Sequence, residues 1–221
     1  MDTGAGVCQH RVNTLEKNQN VSHNIQRLYI MRHRMNISML TSFASIPYFT
    51  IEGFRQVAGI EESNDPHTRI ALYRWTKAGH VIRLKKGVYM TRQFYEIHRG
   101  DLSFSSAMSA ILQPQSYISL ETILQRHGIL TEATYPVTAI TAKHTRLIEN
   151  KLGTFIYRHV RSSLYRGFII ADYYGVPFAE ASLPKALFDY LYLRPLAVVS
   201  RVARFNLAEE LRLNLDEFSA Q

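Results

Sequence analysis

Residues that start and stop helices recur at short intervals between Pro47 and Gly87, and this spacing limits the fold more than any other feature of the chain. Thr50 is a good N-cap, Gly59 is a typical helix stop, and Pro66 suits a first helical position. The predicted elements, in order, are helices at residues 25–45, 51–58 and 66–78 and strands at residues 80–84 and 88–90. Three short helices followed by a hairpin are the order of a winged helix-turn-helix.

The hairpin is predicted from a basic turn between two β-rich runs. Lys85, Lys86 and Gly87 form a loop with glycine at its last position, which suits a tight connection. Residues 91–100 then read as a short link to the rest of the chain. This puts a cationic hairpin tip directly after the third helix.

Positive charge is concentrated in this part of the chain. Residues 66–99 carry eight cations and one anion, Glu96, and so net +7 of the chain's +8. The cations are Arg69, Arg74, Lys77, Arg83, Lys85, Lys86, Arg92 and Arg99. A basic segment on a helix and a hairpin is the pattern of a phosphate-binding surface. A charged outer helix face is also often only a solvated face, so the charge alone does not decide the function.

A helical wheel of the third helix separates an apolar side from a basic side. The apolar side holds Ala71, Leu72, Trp75 and Ala78, and the basic side holds Arg69, Ile70, Tyr73, Arg74 and Lys77. The first set would pack on the preceding helices, and the second would face a major groove. Arginine suits guanine, and the Ile70 side chain suits a thymine methyl group.

The second half of the chain mixes strands and helices. Strands are predicted at residues 117–118, 136–142, 155–160 and 168–173, and helices at 101–112, 120–127, 183–193, 197–205 and 207–213, with Ser119 as the cap of the second of these helices. The predicted fold is therefore α+β, with an N-terminal winged helix-turn-helix followed by a smaller mixed α/β domain. The domain division is a polar extension at 1–24, the winged helix at 25–95 and the second domain at 101–221.

Four segments in this order resemble the AbiEi family of antitoxins and transcriptional regulators of bacterial type IV toxin–antitoxin systems. They read GHVIRLKKGVY, SYISLETILQRHGIL, VTAITA and ASLPKALFDYLYL, and the resemblance extends over about residues 40–193. It implies an N-terminal DNA-binding domain that represses its own operon at inverted repeats. It also implies a C-terminal domain that neutralises a nucleotidyltransferase toxin encoded alongside. The C-terminal domain of the family is often longer and basic, whereas residues 101–221 carry twelve cations and eleven anions here.

On that resemblance the expected DNA-contacting residues are Arg69, Tyr73, Arg74, Lys77, Arg83, Lys85 and Lys86. The expected partners are double-stranded DNA of the chain's own promoter, bound as two copies on an inverted repeat, and functionally the toxin. The alternative is a protein–protein interaction module that uses a winged helix only as a scaffold. The two differ in whether the basic residues share one continuous surface.

Catalytic and metal-binding patterns are weak. The nearest nuclease-like set is Asp172, Glu180 and Lys185. A nuclease site would need the Glu and Lys two residues apart on a strand, whereas Glu180 and Lys185 are five residues apart. The histidines lack a second ligand at helical spacing, so we expect no enzyme, cofactor or metal. The segment around Asp189 reads as a core helix, in which Lys185 and Asp189 pair for a few tenths of a kcal/mol.

Location is predicted from what the sequence lacks. The single cysteine, Cys8, allows no internal disulfide, and the N-terminus has no secretory pattern. No apolar run is long enough to span a membrane. A reducing cytoplasm fits these features.

Overall fold

The computed structural model describes residues 37–60, 66–130 and 136–194. Its helices are α1 (Ile51–Ala58), α2 (Pro66–Lys77), α3 (Arg92–His98), α4 (Phe104–Leu112), α5 (Glu121–Arg126) and α6 (Leu183–Tyr192), with 3₁₀ turns at Ile37–Phe43 and Ser162–Leu164. Its strands are β1 (Phe49–Thr50), β2 (Val81–Lys85), β3 (Val88–Thr91), β4 (Ser116–Ile118), β5 (Val137–Thr141), β6 (Arg146–Asn150), β7 (Gly153–His159), β8 (Phe168–Tyr173) and β9 (Val176–Ala181). The mixture confirms the predicted α+β class.

Several predicted segments lie outside the described residues. They are the N-terminal extension at 1–24, the first helix up to residue 36, and the tail helices at 197–205 and 207–213. The described remainder of the first helix, Ile37–Phe43, is a 3₁₀ turn whose Leu40 and Phe43 side chains are buried.

The predicted bounds of α1 and the predicted start of α2 are confirmed, and α2 ends one residue earlier than predicted. The Thr50 hydroxyl oxygen accepts a hydrogen bond from the Gly53 backbone N–H at 3.0 Å, which caps α1. Gly59 ends the helix in the left-handed conformation, with φ at 63°. α2 begins at Pro66 and ends at Lys77. Local signals are enough here because each boundary depends on residues within one helical turn.

The two helices pack on a small three-stranded sheet of order β1-β3-β2. The sequence did not predict β1, which is only two residues long and pairs with β3. A compact apolar cluster joins the sheet to the helices through Leu40, Phe43, Phe49, Phe54, Ala58, Leu72, Val81 and Tyr89. This cluster fixes the position of α2 against the hairpin.

The hairpin turn is shorter than predicted. Lys85 belongs to β2, and only Lys86 and Gly87 lie in the turn. The pairing of β2 with β3 shifts between Arg83 and Lys85, and this irregularity takes up the residue that the prediction gave to the loop. Gly87 has φ at 78°, the left-handed conformation that such a turn requires.

The predicted link at residues 91–100 is wrong, because most of it forms α3. The Thr91 hydroxyl oxygen accepts from the Phe94 N–H at 3.1 Å, so the end of β3 caps the next helix. Phe94 is fully buried in a second, larger core, together with Ile82, Leu84 and Met90 of the hairpin. One face of the hairpin therefore packs on α1 and α2 while the other packs on the second half of the chain.

The second half is built on a six-stranded mixed sheet of order β6-β7-β5-β4-β9-β8. Its predicted strands are confirmed, but β6 and β9 were missed. The sheet has twice the strands of the N-terminal one and holds most of the larger core. The second half is therefore not the smaller part of the described chain. Of the two missed strands, β6 forms one edge of its sheet and β9 lies between β4 and β8.

The turn from β4 into α5 differs from the prediction. Ser119 does not cap the helix; its hydroxyl donates to the buried carboxylate of Asp189 at 2.8 Å. The helix begins after Leu120, whose φ is 59° and which makes no side-chain cap. Leu120 is buried, so packing holds it in a conformation that β-carbon-bearing residues rarely adopt. Gly128, with φ at 70°, ends the helix as predicted.

Candidate nucleic-acid interface

The exposed side of α2 carries four of the predicted DNA-contacting residues. Arg69, Tyr73, Arg74 and Lys77 are all exposed, as is Ile70. On the opposite side, Thr68 and Leu72 are fully buried, and Trp75 makes an edge contact with the Phe54 ring. The apolar and basic sides are thus separated as the helical wheel requires, although Ala78 is exposed.

No ion pair links Arg69, Arg74 or Lys77 to a carboxylate within the described residues. The Lys77 ammonium lies 5.8 Å from the centre of the Tyr73 ring, which orders both side chains on the same surface. An exposed cationic face next to an aromatic ring suits phosphate and base edges.

The cations of α3 are partly neutralised. Glu96 pairs with Arg92 at 2.6 Å and with Arg99 at 3.4 Å, so the lone acidic residue of the basic segment serves two arginines. The positive charge of residues 66–99 that has no described carboxylate partner therefore lies on α2 and the β2–β3 hairpin.

The two lysines near the hairpin turn have different environments. Arg83 and Lys86 are exposed. The Lys85 ammonium instead donates to the Ile111 carbonyl oxygen near the end of α4, at 2.5 Å. Partial burial lowers the pKa of Lys85, and the charges of Lys143 and Arg146 lower it further. Lys85 therefore docks the hairpin on the second half and does not stand free at its tip.

The second half contributes a basic region that the sequence analysis missed. Residues 143–166 carry six cations against one anion, Glu149. The cations are Lys143, Arg146, Lys151, Arg158, Arg161 and Arg166, and all are exposed. Averaging over residues 101–221 hid this excess, because the balancing carboxylates lie elsewhere in the chain. A count restricted to the β6–β7 hairpin and its flanks would have found it.

This region adjoins the first hairpin. Lys143 and Arg146 are close enough to Lys85 to lower its pKa, and the Asn150 side-chain amide lies 3.4 Å from the Leu84 carbonyl oxygen. The β2–β3 hairpin and the β6–β7 hairpin thus lie side by side. The cations Lys143 and Arg146 of the second half therefore lie close to the cationic turn of the first hairpin.

The weak nuclease-like residues have separate structural roles. Asp172 accepts a hydrogen bond from the Gly175 N–H at the β8–β9 turn, at 2.9 Å. Glu180 pairs with Arg126 at 2.5 Å and accepts from the Ser106 hydroxyl at 2.8 Å. Lys185 binds Asp189. The three side chains are thus engaged with different partners.

Two further properties concern only the described part of the chain. It contains no group of three or more His, Cys, Asp or Glu side chains placed to hold a metal ion. None of its helices combines the length and apolar character that crossing a membrane requires.

Comparison with known families gives a match within the first half of the chain. Residues 39–91 match the family model of the AbiEi antitoxin, a transcriptional regulator. The resemblance inferred from the sequence is confirmed over this segment. Searches of curated proteins and of solved structures gave no significant match. The AbiEi-matched segment contains α1, α2, the three-stranded sheet and all seven predicted DNA-contacting residues, whereas the β6–β7 cations lie outside it.

Proposed function

We propose that this chain is a DNA-binding transcriptional repressor and the antitoxin of a type IV toxin–antitoxin system. The observation that carries the proposal is the exposed cationic face of α2, which makes no ion pair with a described carboxylate, within the segment that matches the AbiEi regulators. In this proposal residues 37–91 act as a winged helix-turn-helix, with α2 as the helix that enters the major groove. Arg69 and Arg74 would contact guanine, and Ile70 would contact a thymine methyl group.

The hairpins would bind the phosphates that flank this groove. Arg83 and Lys86 are exposed on the first hairpin, and the exposed Lys143 and Arg146 of the second half lie close to it. Contacts of this kind position a protein on DNA without reading its sequence. Each phosphate neutralised adds to the salt dependence of binding. In this proposal α2 reads the bases, and both hairpins contribute to the salt dependence of DNA binding.

The test is binding of the full chain to its own promoter fragment, followed by fluorescence anisotropy. Replacing Arg69 and Lys77 together by alanine should abolish specific binding. The matched control replaces Arg92 and Arg99 by alanine, because this removes the same charge from residues that already pair with Glu96. We expect the control to retain most of its affinity. Equal binding by the Arg69→Ala/Lys77→Ala protein and the wild type would exclude α2 as the reading helix and favour the scaffold alternative.

The same proposal includes autoregulation in the cytoplasm. The expected operator is an inverted repeat with half-sites roughly 34 Å apart, one turn of DNA. Footprinting of the promoter would show two protected half-sites at this spacing. For the antitoxin role, expression of the chain should rescue growth of cells that produce the nucleotidyltransferase toxin encoded alongside. Growth arrest despite full expression would contradict that role and leave DNA binding unaffected.

A further inference from the structure

We propose that strand β8 is an interface through which two copies of this chain pair edge to edge in solution, without DNA. β8 is one edge of the six-stranded sheet, and its neighbour in the sheet is β9. An edge strand offers unpaired backbone N–H and C=O groups along its free side, and these can continue the sheet into another chain.

Within the described part of the chain, the free edge of β8 lacks the sequence features that normally prevent such pairing. Ile169 and Ile170 are 65% and 75% exposed, and as consecutive strand residues they lie on opposite faces of the sheet. Edge strands are usually protected by lysine, proline or a bulge. Phe168–Tyr173 contains neither residue, and all six of its pairs with β9 are in continuous register. The edge is therefore regular, apolar and able to accept another strand.

The opposite edge of the same sheet provides the contrast. β6 also exposes an apolar residue, Leu147, but it carries exposed Arg146 and is flanked by Lys143 and Lys151. The exposed Glu149 of β6 offsets only one of these three cations, so two copies of that edge would bring a net positive charge together, which is destabilising. Only one of the two edges is thus suited to self-association.

The charges around β8 favour a second copy in antiparallel orientation. Arg166 precedes the strand and Asp172 lies near its other end, and both are exposed. Antiparallel pairing about a two-fold axis would place Arg166 of one copy near Asp172 of the other, at both ends of the interface. Parallel pairing would place Arg166 near Arg166. In this register Ile169 would meet its own copy at the two-fold axis and Ile170 would face Phe168 of the other copy, as a self-complementary interface requires.

The consequence is a continuous sheet with six strands from each copy. The two α2 helices would then be related by the same two-fold axis, which is the symmetry of an inverted repeat. This is a consequence of the pairing and not a premise, because the argument for β8 uses no property of DNA.

The first test is the mass of the full chain in solution by sedimentation velocity over a wide concentration range, without DNA. We expect a concentration-dependent dimer for the wild type and a monomer for Ile170→Lys. Leu147→Lys is the matched control, since it introduces the same charge at an exposed apolar residue on the other edge strand of the sheet. This protein should still dimerise. A wild type that stays monomeric at every concentration overturns the proposal. An Ile170→Lys protein that dimerises as the wild type does overturns it as well.

The second test fixes the orientation by disulfide formation in a Cys8→Ser background. Mixing an Arg166→Cys protein with an Asp172→Cys protein should give a mixed disulfide under mild oxidation, because a disulfide needs Cα atoms within about 7 Å. Each protein alone should form little disulfide-linked dimer. Preferential disulfides between identical proteins would overturn the antiparallel arrangement. Because both tests omit DNA, loss of promoter binding in the Arg69→Ala/Lys77→Ala protein would leave their outcomes unchanged.

Discussion

The ammonium group of Lys185 lies 2.6 Å from the carboxylate of Asp189, one turn along α6, and Asp189 is completely buried. The other carboxylate oxygen accepts from the Tyr117 hydroxyl at 3.0 Å and the Ser119 hydroxyl at 2.8 Å. Burial, and then the charge of Asp189, raises the pKa of Tyr117. The sequence predicted this pair as a minor helical contact, which is wrong because the carboxylate joins α6 to β4 inside the core.

The first prediction concerns this buried charge. Asp189→Ala should lower the free energy of unfolding by about 3–5 kcal/mol, because it leaves the Lys185 ammonium without its counter-charge. It also leaves two hydroxyls without their acceptor. Urea denaturation would measure the change. Asp172→Ala is the control, since that exposed carboxylate accepts only a turn N–H, and it should cost about 1 kcal/mol. A loss at Asp189 no larger than the control would show that the buried pair is dispensable.

The second prediction concerns the turn of the first hairpin. Gly87→Ala should destabilise the protein by about 1–2 kcal/mol, because the left-handed conformation is unfavourable for any residue with a β-carbon. The added methyl group itself meets no atom within 4 Å, so the effect isolates the backbone. Gly100→Ala is the control, because its β-carbon also meets nothing and its φ is not in the left-handed range. Thermal unfolding of the two proteins should differ; equal melting temperatures would refute the strain.

The third prediction concerns pH. The Asp101 carboxylate accepts from the Tyr173 hydroxyl at 2.6 Å and lies 2.9 Å from Nδ1 of the His98 ring, and these contacts hold the pKa of Asp101 below its usual 3.8. A carboxyl group with a lowered folded pKa adds stability that is complete above about pH 4 and is lost as the pH falls through that folded value. Tyr173→Phe should therefore reduce the loss of stability between neutral and acid pH.

The measurement is the difference in unfolding free energy between neutral pH and the acid range, for wild type and variant. Tyr174→Phe is the control, because this exposed neighbour contacts the His98 ring but makes no described hydrogen bond to Asp101. An unchanged pH dependence in the Tyr173→Phe protein would show that the hydroxyl does not set the Asp101 pKa.

Local signals explain what the sequence predicted well. The N-cap at Thr50 and the stop at Gly59 depend on neighbouring residues, as does the start of α2 at Pro66. The strand β1 was missed because its partner β3 is distant in the chain, and β9 because it is held between β8 and the distant β4. The strand β6 was missed although its partner β7 is its neighbour in the chain. A two-residue strand has no period to detect, and β6 reads as polar because it is an edge strand.

The candidate interface also has a part that the sequence predicted and a part that only the fold reveals. The sequence predicted the exposed face of α2 because helical periodicity alone separates Leu72 from Arg69 and Lys77. It could not predict that Lys85 binds the Ile111 carbonyl, since that contact depends on how the two halves pack. Nor could it join Lys143 and Arg146 to the hairpin, because only the fold brings them close to Lys85.

The last prediction uses two adjacent lysines as a matched pair. Lys86→Met should reduce the slope of the logarithm of the binding constant against the logarithm of the salt concentration by about 0.9. This is the effect of losing one phosphate contact. Lys85→Met removes the same charge one residue away, but this ammonium already binds the Ile111 carbonyl. We therefore expect little change in its salt dependence.

Lys85→Met should instead lower the melting temperature, because the Ile111 carbonyl loses its donor and the hairpin loses a contact with the second half. Promoter titrations at several salt concentrations and thermal unfolding of both variants would separate the two effects. An equal fall in salt dependence for both variants would mean that the Lys85 ammonium leaves Ile111 and reaches a phosphate when DNA binds. The docked hairpin would then be a property of the free protein alone.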